Sequence, residues 1–198
     1  MTRGAKFSKR LFDIILSFVG ILLSFWIMLL AFIVASIETK SFGLFIQKRV
    51  GQEAKLFNVF KIKSMKVIKG IDTSITTSRD TRITKSGKFF RDTKIDELPQ
   101  LFNVLFGSMS FVGPRPDVEG YADTLEGKDR IILTVRAGIT GPASIKYKNE
   151  EAILAQQSNP KKYNDEVIWL DKVKINRAYI ENWSFQKDIG YIIQTIKG

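Results

Sequence analysis

The sequence predicts an α+β fold that is mainly helical: a membrane helix at the N-terminus, re-entrant in the bilayer, joined to a small cytosolic domain with a short β-hairpin and interfacial amphipathic helices. Three observations predict it. Residues Ile14 to Ile37 carry no charge, a run long enough for a membrane helix. Two short apolar runs flank Gly51 and alternate with lysine in the two-residue period of a strand. From Ser86 onward the apolar residues recur mostly at helical spacing. Residues 1–40 then form a basic lead and the inserted helix, and residues 41–198 form the cytosolic domain.

Residues 1–10 carry Arg3, Lys6, Lys9 and Arg10 and no acid. The apolar run after them lacks the small-residue cleavage site of a signal peptide, so it reads as a retained helix. Its far flank is also basic, with Lys40, Lys48, Arg49, Lys55, Lys61, Lys63, Lys66 and Lys69 against Glu38 and Glu53. A spanning helix is normally flanked by cations on its cytoplasmic side. Two basic flanks therefore favour a segment that enters the bilayer, bends and returns to the same face; a single span is the alternative. Gly20 and Ser24 are the candidate positions of the bend.

Leu44 to Arg49 and Leu56 to Lys63 read as the two strands of a hairpin, with Phe60 and Ile62 alternating with Lys61 and Lys63. Those lysines face water, or contribute about 1 kcal/mol each of attraction to anionic headgroups. Val67 to Lys85 is polar and reads as a surface loop or cover. Ser86 to Asp92 is helical and delivers Arg91. Ile95, Leu98, Leu101, Phe102 and Leu105 fall at helical spacing, which puts Asp96 and Glu97 in a first turn close to Pro99, with Thr93 and Asp96 resembling a capping box. A helix is expected within Asp117 to Val135. Arg136 to Ser144 reads as a turn-rich loop, whose Gly138 and Gly141 form turns or let backbone N–H groups approach a phosphate. Helices follow over Glu150 to Gln157, Tyr163 to Ile180 and Phe185 to Ile196. The last carries Phe185, Ile189, Ile192, Ile193 and Ile196 on one face, for the core or for the lipid interface.

The chain has 31 Lys and Arg against 20 Asp and Glu, a formal net charge of +11, which points to an anionic partner: nucleic acid, a membrane surface or a phosphorylated substrate. It has no histidine and no cysteine, which excludes a Ser-His-Asp triad, a Cys-His pair and zinc held by either residue. Chemistry falls to carboxylates, hydroxyls, lysine and arginine, and any metal is held by oxygen, which suits Mg²⁺. Carboxylate, Mg²⁺ and arginine together describe phosphoryl transfer. A competing reading is a membrane-tethered basic module that binds anionic lipid or nucleic acid without catalysis. The basic residues are spread along the chain and form no helix-turn-helix, RRM-like or zinc-finger pattern, so nucleic acid is not the expected partner.

The ordered set FIQKRVG, FKIKSM, DTRITKSGKFFR, IDELPQLFNVLFGSMSFVGPRP and VRAGITGPA, behind an apolar N-terminal segment, resembles the bacterial sugar transferase family of monotopic phosphoglycosyl transferases. The resemblance runs from about Arg10 to the C-terminus. It implies transfer of a sugar-1-phosphate from a UDP-sugar to polyprenol phosphate, usually undecaprenyl phosphate, through a covalent aspartyl-phosphosugar intermediate with release of UMP. It implies that Asp96 is the nucleophile, that Glu97 handles a proton or Mg²⁺ with Asp96, and that Arg91, Arg115 and Arg136 bind phosphate or substrate. It also implies a re-entrant helix and a catalytic domain on the cytoplasmic face of the bacterial inner membrane. The chain departs from the family where Phe25 replaces the proline that commonly follows the serine of the bend, and where Ala137 replaces the proline of an Arg-Pro-Gly sequence. Without the large N-terminal membrane domain of longer members, it resembles the minimal form.

Overall fold

A computed structural model of the chain describes residues 2–66 and 80–197. Most of the predicted polar loop, residues 67–79, lies outside the described residues.

Helix α1 (Arg3–Thr39) starts where the Thr2 hydroxyl accepts the Ala5 N–H and stops where Lys40 turns left-handed. At about 1.5 Å per residue it is roughly 55 Å long. It passes through the two expected bend positions as one helix, and at Ser24 the hydroxyl donates to the Gly20 carbonyl at 2.6 Å. Its buried residues, Asp13, Ser17, Met28, Ala31 and Ala35, form one stripe at steps of three and four when Gly20 and Ser24 are included. Small side chains let α1 approach closely: a Cβ on Gly20 would lie 3.2 Å from Leu101. The other faces expose Leu22, Leu23, Trp26, Leu30 and Ile37.

Both ends of α1 are fastened to the same domain. Near its start, Lys9 pairs with Asp188 at 2.5 Å, and Arg10 donates to the carbonyls of Val104 and Leu105 at 2.6 and 2.7 Å. Asp13 accepts from Ser110 Oγ and the Phe111 N–H at 3.2 and 3.1 Å. Near its end, Ala31 and Ala35 pack with Ile62 and Phe90, and Glu38 accepts from the Lys85 and Ser86 backbone at 3.1 and 3.2 Å.

The hairpin is as predicted, β1 (Leu44–Val50) antiparallel to β2 (Leu56–Ile62), with Leu44 opposite Ile62 and Val50 opposite Leu56. Thr84 caps α2 (Lys85–Asp92) through its hydroxyl. The expected capping box does not form, because the Thr93 hydroxyl instead donates to the Phe89 carbonyl at 2.6 Å. Lys94 then adopts φ 60°, which ends α2 and starts a 3-10 turn over Ile95–Glu97. Helix α3 (Gln100–Phe106) begins only after Pro99.

A second sheet was not anticipated: β3 (Met109–Val112) runs parallel to β4 (Ala137–Thr140), inside the segment read as a loop. Glycine makes the pairing possible, since a Cβ on Gly138 would lie 2.2 Å from the Gly113 nitrogen. The Gly138 N–H donates to the Pro114 carbonyl at 2.8 Å, so it holds the turn that follows β3. The helix expected within Asp117 to Val135 is also corrected, to 3-10 segments at Ala122–Thr124 and Gly127–Thr134. Gly120 and Gly127, with φ 92° and 56°, interrupt any longer helix.

The remainder is helical: α4 (Pro142–Lys146), α5 (Glu150–Ala155), α6 (Pro160–Tyr163), α7 (Trp169–Glu181) behind a π-turn, and α8 (Phe185–Lys197). The main core joins Val50, Val112, Ile132, Leu133, Val173, Tyr179 and Ile180. The α8 stripe is only partly used by the core. Ile192 packs on that core and Phe185 meets the ring of Phe12 edge-on, while Ile189, Ile193 and Ile196 are exposed.

Candidate active site

The left-handed turn at Lys94 directs Asp96 inward, beneath β2, and leaves Glu97 beside it. Glu97 is paired twice. Its Oε1 accepts from Lys61 Nζ at 3.0 Å and from Arg115 at 2.5 Å, and Oε2 lies 3.4 Å from the other Arg115 amino group. Lys61 comes from β2, and Arg115 from the Gly113–Pro116 turn after β3, so three separate segments converge on one carboxylate.

Asp96 is different. It is 7% exposed, and no described residue hydrogen-bonds its Oδ1. Burial and the neighbouring Glu97 push its carboxyl up to about 6, against the pull of Lys61, Arg91 and Lys94. For Glu97, burial also pushes upward, but Arg115 and Lys61 outweigh it and hold the group well below the usual carboxylate range. Two adjacent carboxylates are thus driven apart in acidity, one anionic and twice paired, the other more basic with an oxygen that no described residue hydrogen-bonds. Burial lowers the Lys61 ammonium in spite of Glu97. Arg115 is raised by Glu97 and is itself 44% exposed along its side chain, so it forms the solvent side of the cluster.

Behind Arg115, burial pushes Asp117 up to about 6, against the opposing charges of Lys172, Arg49 and Arg115. Arg91 donates to Glu151 and lies 4.0 Å from the Met65 sulfur; its charge still bears on Asp96. The structure therefore gathers Asp96, Glu97, Arg115 and Lys61, with Arg91 at the margin. Arg136 is placed elsewhere. Its Nε donates to the Gly107 carbonyl at 2.8 Å, where Arg10 also binds carbonyls, so the two arginines satisfy the C-terminal end of α3. That end is about 10 Å along the helix from its start near Asp96.

Among the described residues no group of three or more carboxylates gathers to hold a metal. Asp96 and Glu97 nevertheless fit Mg²⁺, which commonly takes one or two carboxylates and completes its shell with water and substrate phosphate. The unpartnered Asp96 Oδ1 supplies the free ligand oxygen.

The model of the bacterial sugar transferase family matches residues 4–198. The chain belongs to that family. Among curated relatives, it is 37% identical over 196 residues to a UDP-glucose:undecaprenyl-phosphate glucose-1-phosphate transferase of Klebsiella pneumoniae, covering 95% of this chain and 39% of the relative. It is 30% identical over 215 residues to an undecaprenyl-phosphate galactose phosphotransferase of Salmonella typhimurium, covering 98% and 41%. It is 35% identical over 197 residues to an undecaprenyl-phosphate glucose phosphotransferase of Komagataeibacter xylinus, covering 96% and 35%. The chain thus spans about two fifths of the length of these relatives.

Within this family member, Lys61 is the site residue that sequence reasoning missed. The alternation of FKIK showed that Lys61 and Lys63 share a strand face, and both were assigned to water or lipid. The structure turns Lys61 to Glu97 and Lys63 to the Ser41 hydroxyl at 2.9 Å. No local pattern distinguishes two lysines two residues apart; the long-range docking of α3 on β2 does.

Proposed function

We propose that this chain transfers a sugar-1-phosphate from a UDP-sugar to a polyprenol phosphate, undecaprenyl phosphate by analogy with its relatives, through a covalent intermediate on Asp96. The observation that carries the reading is the unpartnered Oδ1 of buried Asp96, beside a Glu97 that Lys61 and Arg115 keep anionic.

In the first half-reaction an Asp96 oxygen attacks the sugar-bearing phosphorus. The Asp–O–P bond forms, the bond to the other phosphate breaks, and UMP leaves with the electron pair. In the second, an oxygen of polyprenol phosphate attacks the same phosphorus and the acyl phosphate opens. The products are a polyprenyl-diphospho-sugar and the regenerated carboxylate. Splitting the transfer in two replaces a direct meeting of two anionic substrates with two displacements at one prepared centre. A group titrating near 6 is mostly ionised at neutral pH yet more basic than an ordinary aspartate, which suits a nucleophile. Arg115 and Arg91, now held by Glu97 and Glu151, carry forked donors that phosphate oxygens compete for. Mg²⁺ held by Asp96 and Glu97 would supply charge neutralisation at the diphosphate.

The membrane reading rests on α1. Its exposed apolar faces suit lipid, while both ends bind one domain, which supports a helix that enters and leaves by the same face. We place that face on the cytoplasmic side of the bacterial inner membrane, where its basic residues meet anionic lipid.

The test is Mg²⁺-dependent UMP release by the purified protein with undecaprenyl phosphate and a panel of donors beginning with UDP-glucose and UDP-galactose. Wild type is expected to turn over one donor and Asp96→Asn none. Omitting the lipid should leave a protein heavier by one phosphosugar. Equal release by wild type and Asp96→Asn would remove Asp96 from the nucleophile's role.

A further inference from the structure

Gln100 is a buried polar residue beside the site that the reaction just described does not use. Leu98 and Pro99 hold helical angles and join the Ile95–Glu97 turn to α3, so Gln100 follows Asp96 by little more than one turn of a continuous right-handed path. Three polar residues of this short path are buried: Asp96, Gln100 and Asn103 are 7%, 2% and 2% exposed.

Asn103 has a structural explanation. Its Oδ1 accepts the Phe60 N–H at 3.1 Å, and its Nδ2 donates to the Asn58 carbonyl at 2.7 Å and to Ser108 Oγ at 3.2 Å. The carboxamide thereby closes the open edge of β2. Gln100 has none. Its Nε2 is buried, and no described residue accepts from it. A buried amide donor without an acceptor destabilises the fold, so its retention calls for a reason outside the folded chain's own bonding.

The position supplies one. Four side-chain atoms are buried without partners among the described residues, and two of them, Asp96 Oδ1 and Gln100 Nε2, belong to residues four apart in the chain. One is an acceptor and one a donor, yet neither satisfies the other. A phosphoryl group answers both at once, because its phosphorus takes the carboxylate oxygen while its non-bridging oxygens accept N–H.

We propose that Gln100 is a catalytic residue whose Nε2 donates to a non-bridging oxygen of the phosphoryl group that Asp96 attacks. The proposal rests on the reading of Asp96 as nucleophile. Gln100 keeps both amide protons throughout, and no bond to it forms or breaks. An uncharged donor also adds no cation beside Asp96, so it steadies the phosphoryl oxygens without depressing the basicity that burial confers.

The experiment compares wild type, Gln100→Met and Gln100→Glu. Both replacements approximate the length of glutamine, and both remove the amide donor. The rate at which the heavier covalent protein forms from the UDP-sugar, with lipid omitted, is followed by intact mass across pH. Thermal unfolding is measured on the ligand-free proteins. Both variants should form the adduct on the order of a hundredfold more slowly. For Gln100→Met the acidic limb of the pH profile should stay where it is in wild type. Its ligand-free unfolding temperature should equal or exceed that of wild type, because an unpaired buried donor has been removed.

Three results for Gln100→Met would each overturn the proposal: adduct formation at the wild-type rate, an acidic limb that moves, which would mean Gln100 acts through Asp96, or a lowered unfolding temperature, which marks a structural amide. A wild type that forms no adduct with any donor overturns the reading of the reaction, and this proposal with it. A wild type that does, alongside an equally fast Gln100→Met, overturns this proposal alone.

Discussion

Nζ of Lys61 lies 3.0 Å from Oε1 of Glu97, joining β2 to the turn that carries the candidate nucleophile. The two side chains are 25% and 14% exposed, so the pair is largely out of water. Lys61→Met leaves Glu97 with Arg115 as its one cationic partner and is expected to cost about 1–3 kcal/mol of stability. It should lower UMP release by roughly tenfold or more, the loss that follows when preorganised charge at a reacting centre is removed. Lys63→Met, two residues further on, just past the end of β2, and bonded to an exposed serine, is the control and should change neither. Denaturant unfolding and initial rates on both variants check the contrast.

Asp96 makes activity and stability oppose one another. Its folded value, about 6, lies above the ordinary 3.8, so the folded state binds the proton more tightly than the unfolded chain. Below about 3.8 both states are protonated and the residue is neutral to stability. Between 3.8 and 6 stability falls as pH rises, and above 6 the loss is complete, up to about 3 kcal/mol for a shift of this size. Asp96→Asn escapes that loss. The variant should be inactive yet unfold at higher temperature than wild type at pH 8, with the advantage shrinking as pH falls toward 4. For wild type the pH–rate profile should decline on the acidic side near 6, as the proposed nucleophile, Asp96, protonates.

The adjacent carboxylates were legible in the sequence for a physical reason. Removing histidine and cysteine leaves few routes to catalysis, and an Asp-Glu pair ahead of an apolar helix, followed by an arginine between prolines, is a local pattern. The hairpin, α2 and α8 were legible because each has its period and its turn or cap within a dozen residues. The parallel β3–β4 pair was not, because strands of four residues, one of them with Gly138 inside, are too short to show an alternation, and their pairing depends on segments nearly thirty residues apart. The stripe of mostly small and polar residues on α1 was present in the sequence, as Asp13, Ser17, Gly20, Ser24, Met28, Ala31 and Ala35, but a run judged by mean apolarity hides a face. Arg136 shows the converse: a recognisable motif position whose side chain the fold turns to the end of α3.

Asp188 anchors the start of α1. It is 2% exposed and accepts from Tyr179 at 2.6 Å, Trp183 at 2.9 Å and Lys9 at 2.5 Å, joining α7, α8 and α1. Asp188→Ala strands three donors, one of them charged, and is expected to cost about 3–5 kcal/mol. Asp188→Asn keeps the shape and loses the charge opposite Lys9, so it should cost less. Because Lys9 lies on α1, the alanine variant should also expose the first turns of that helix to protease before the rest of the domain. Limited proteolysis with mass analysis of the first cut distinguishes this from global unfolding.

The topology of α1 can be tested directly, because a chain without cysteine accepts single-cysteine probes with no background. Ser8 and Ser41 flank the apolar run and are exposed, and Leu23 lies near its middle with its side chain outward. A helix that crosses the bilayer puts positions 8 and 41 on opposite sides. A helix whose start binds Asp188 and Val104 and whose end binds Ile62 and Ser86 puts them on one side, since those partners belong to one folded domain. In sealed inverted membrane vesicles, an impermeant maleimide should therefore label Ser8→Cys and Ser41→Cys alike and leave Leu23→Cys unreacted until detergent is added. Labelling of only one flanking position would mean that the helix spans the membrane. The contacts of Lys9, Arg10 and Asp13 with the domain would then have to be broken in the bilayer, at the cost of leaving the buried Asp188 without its cation.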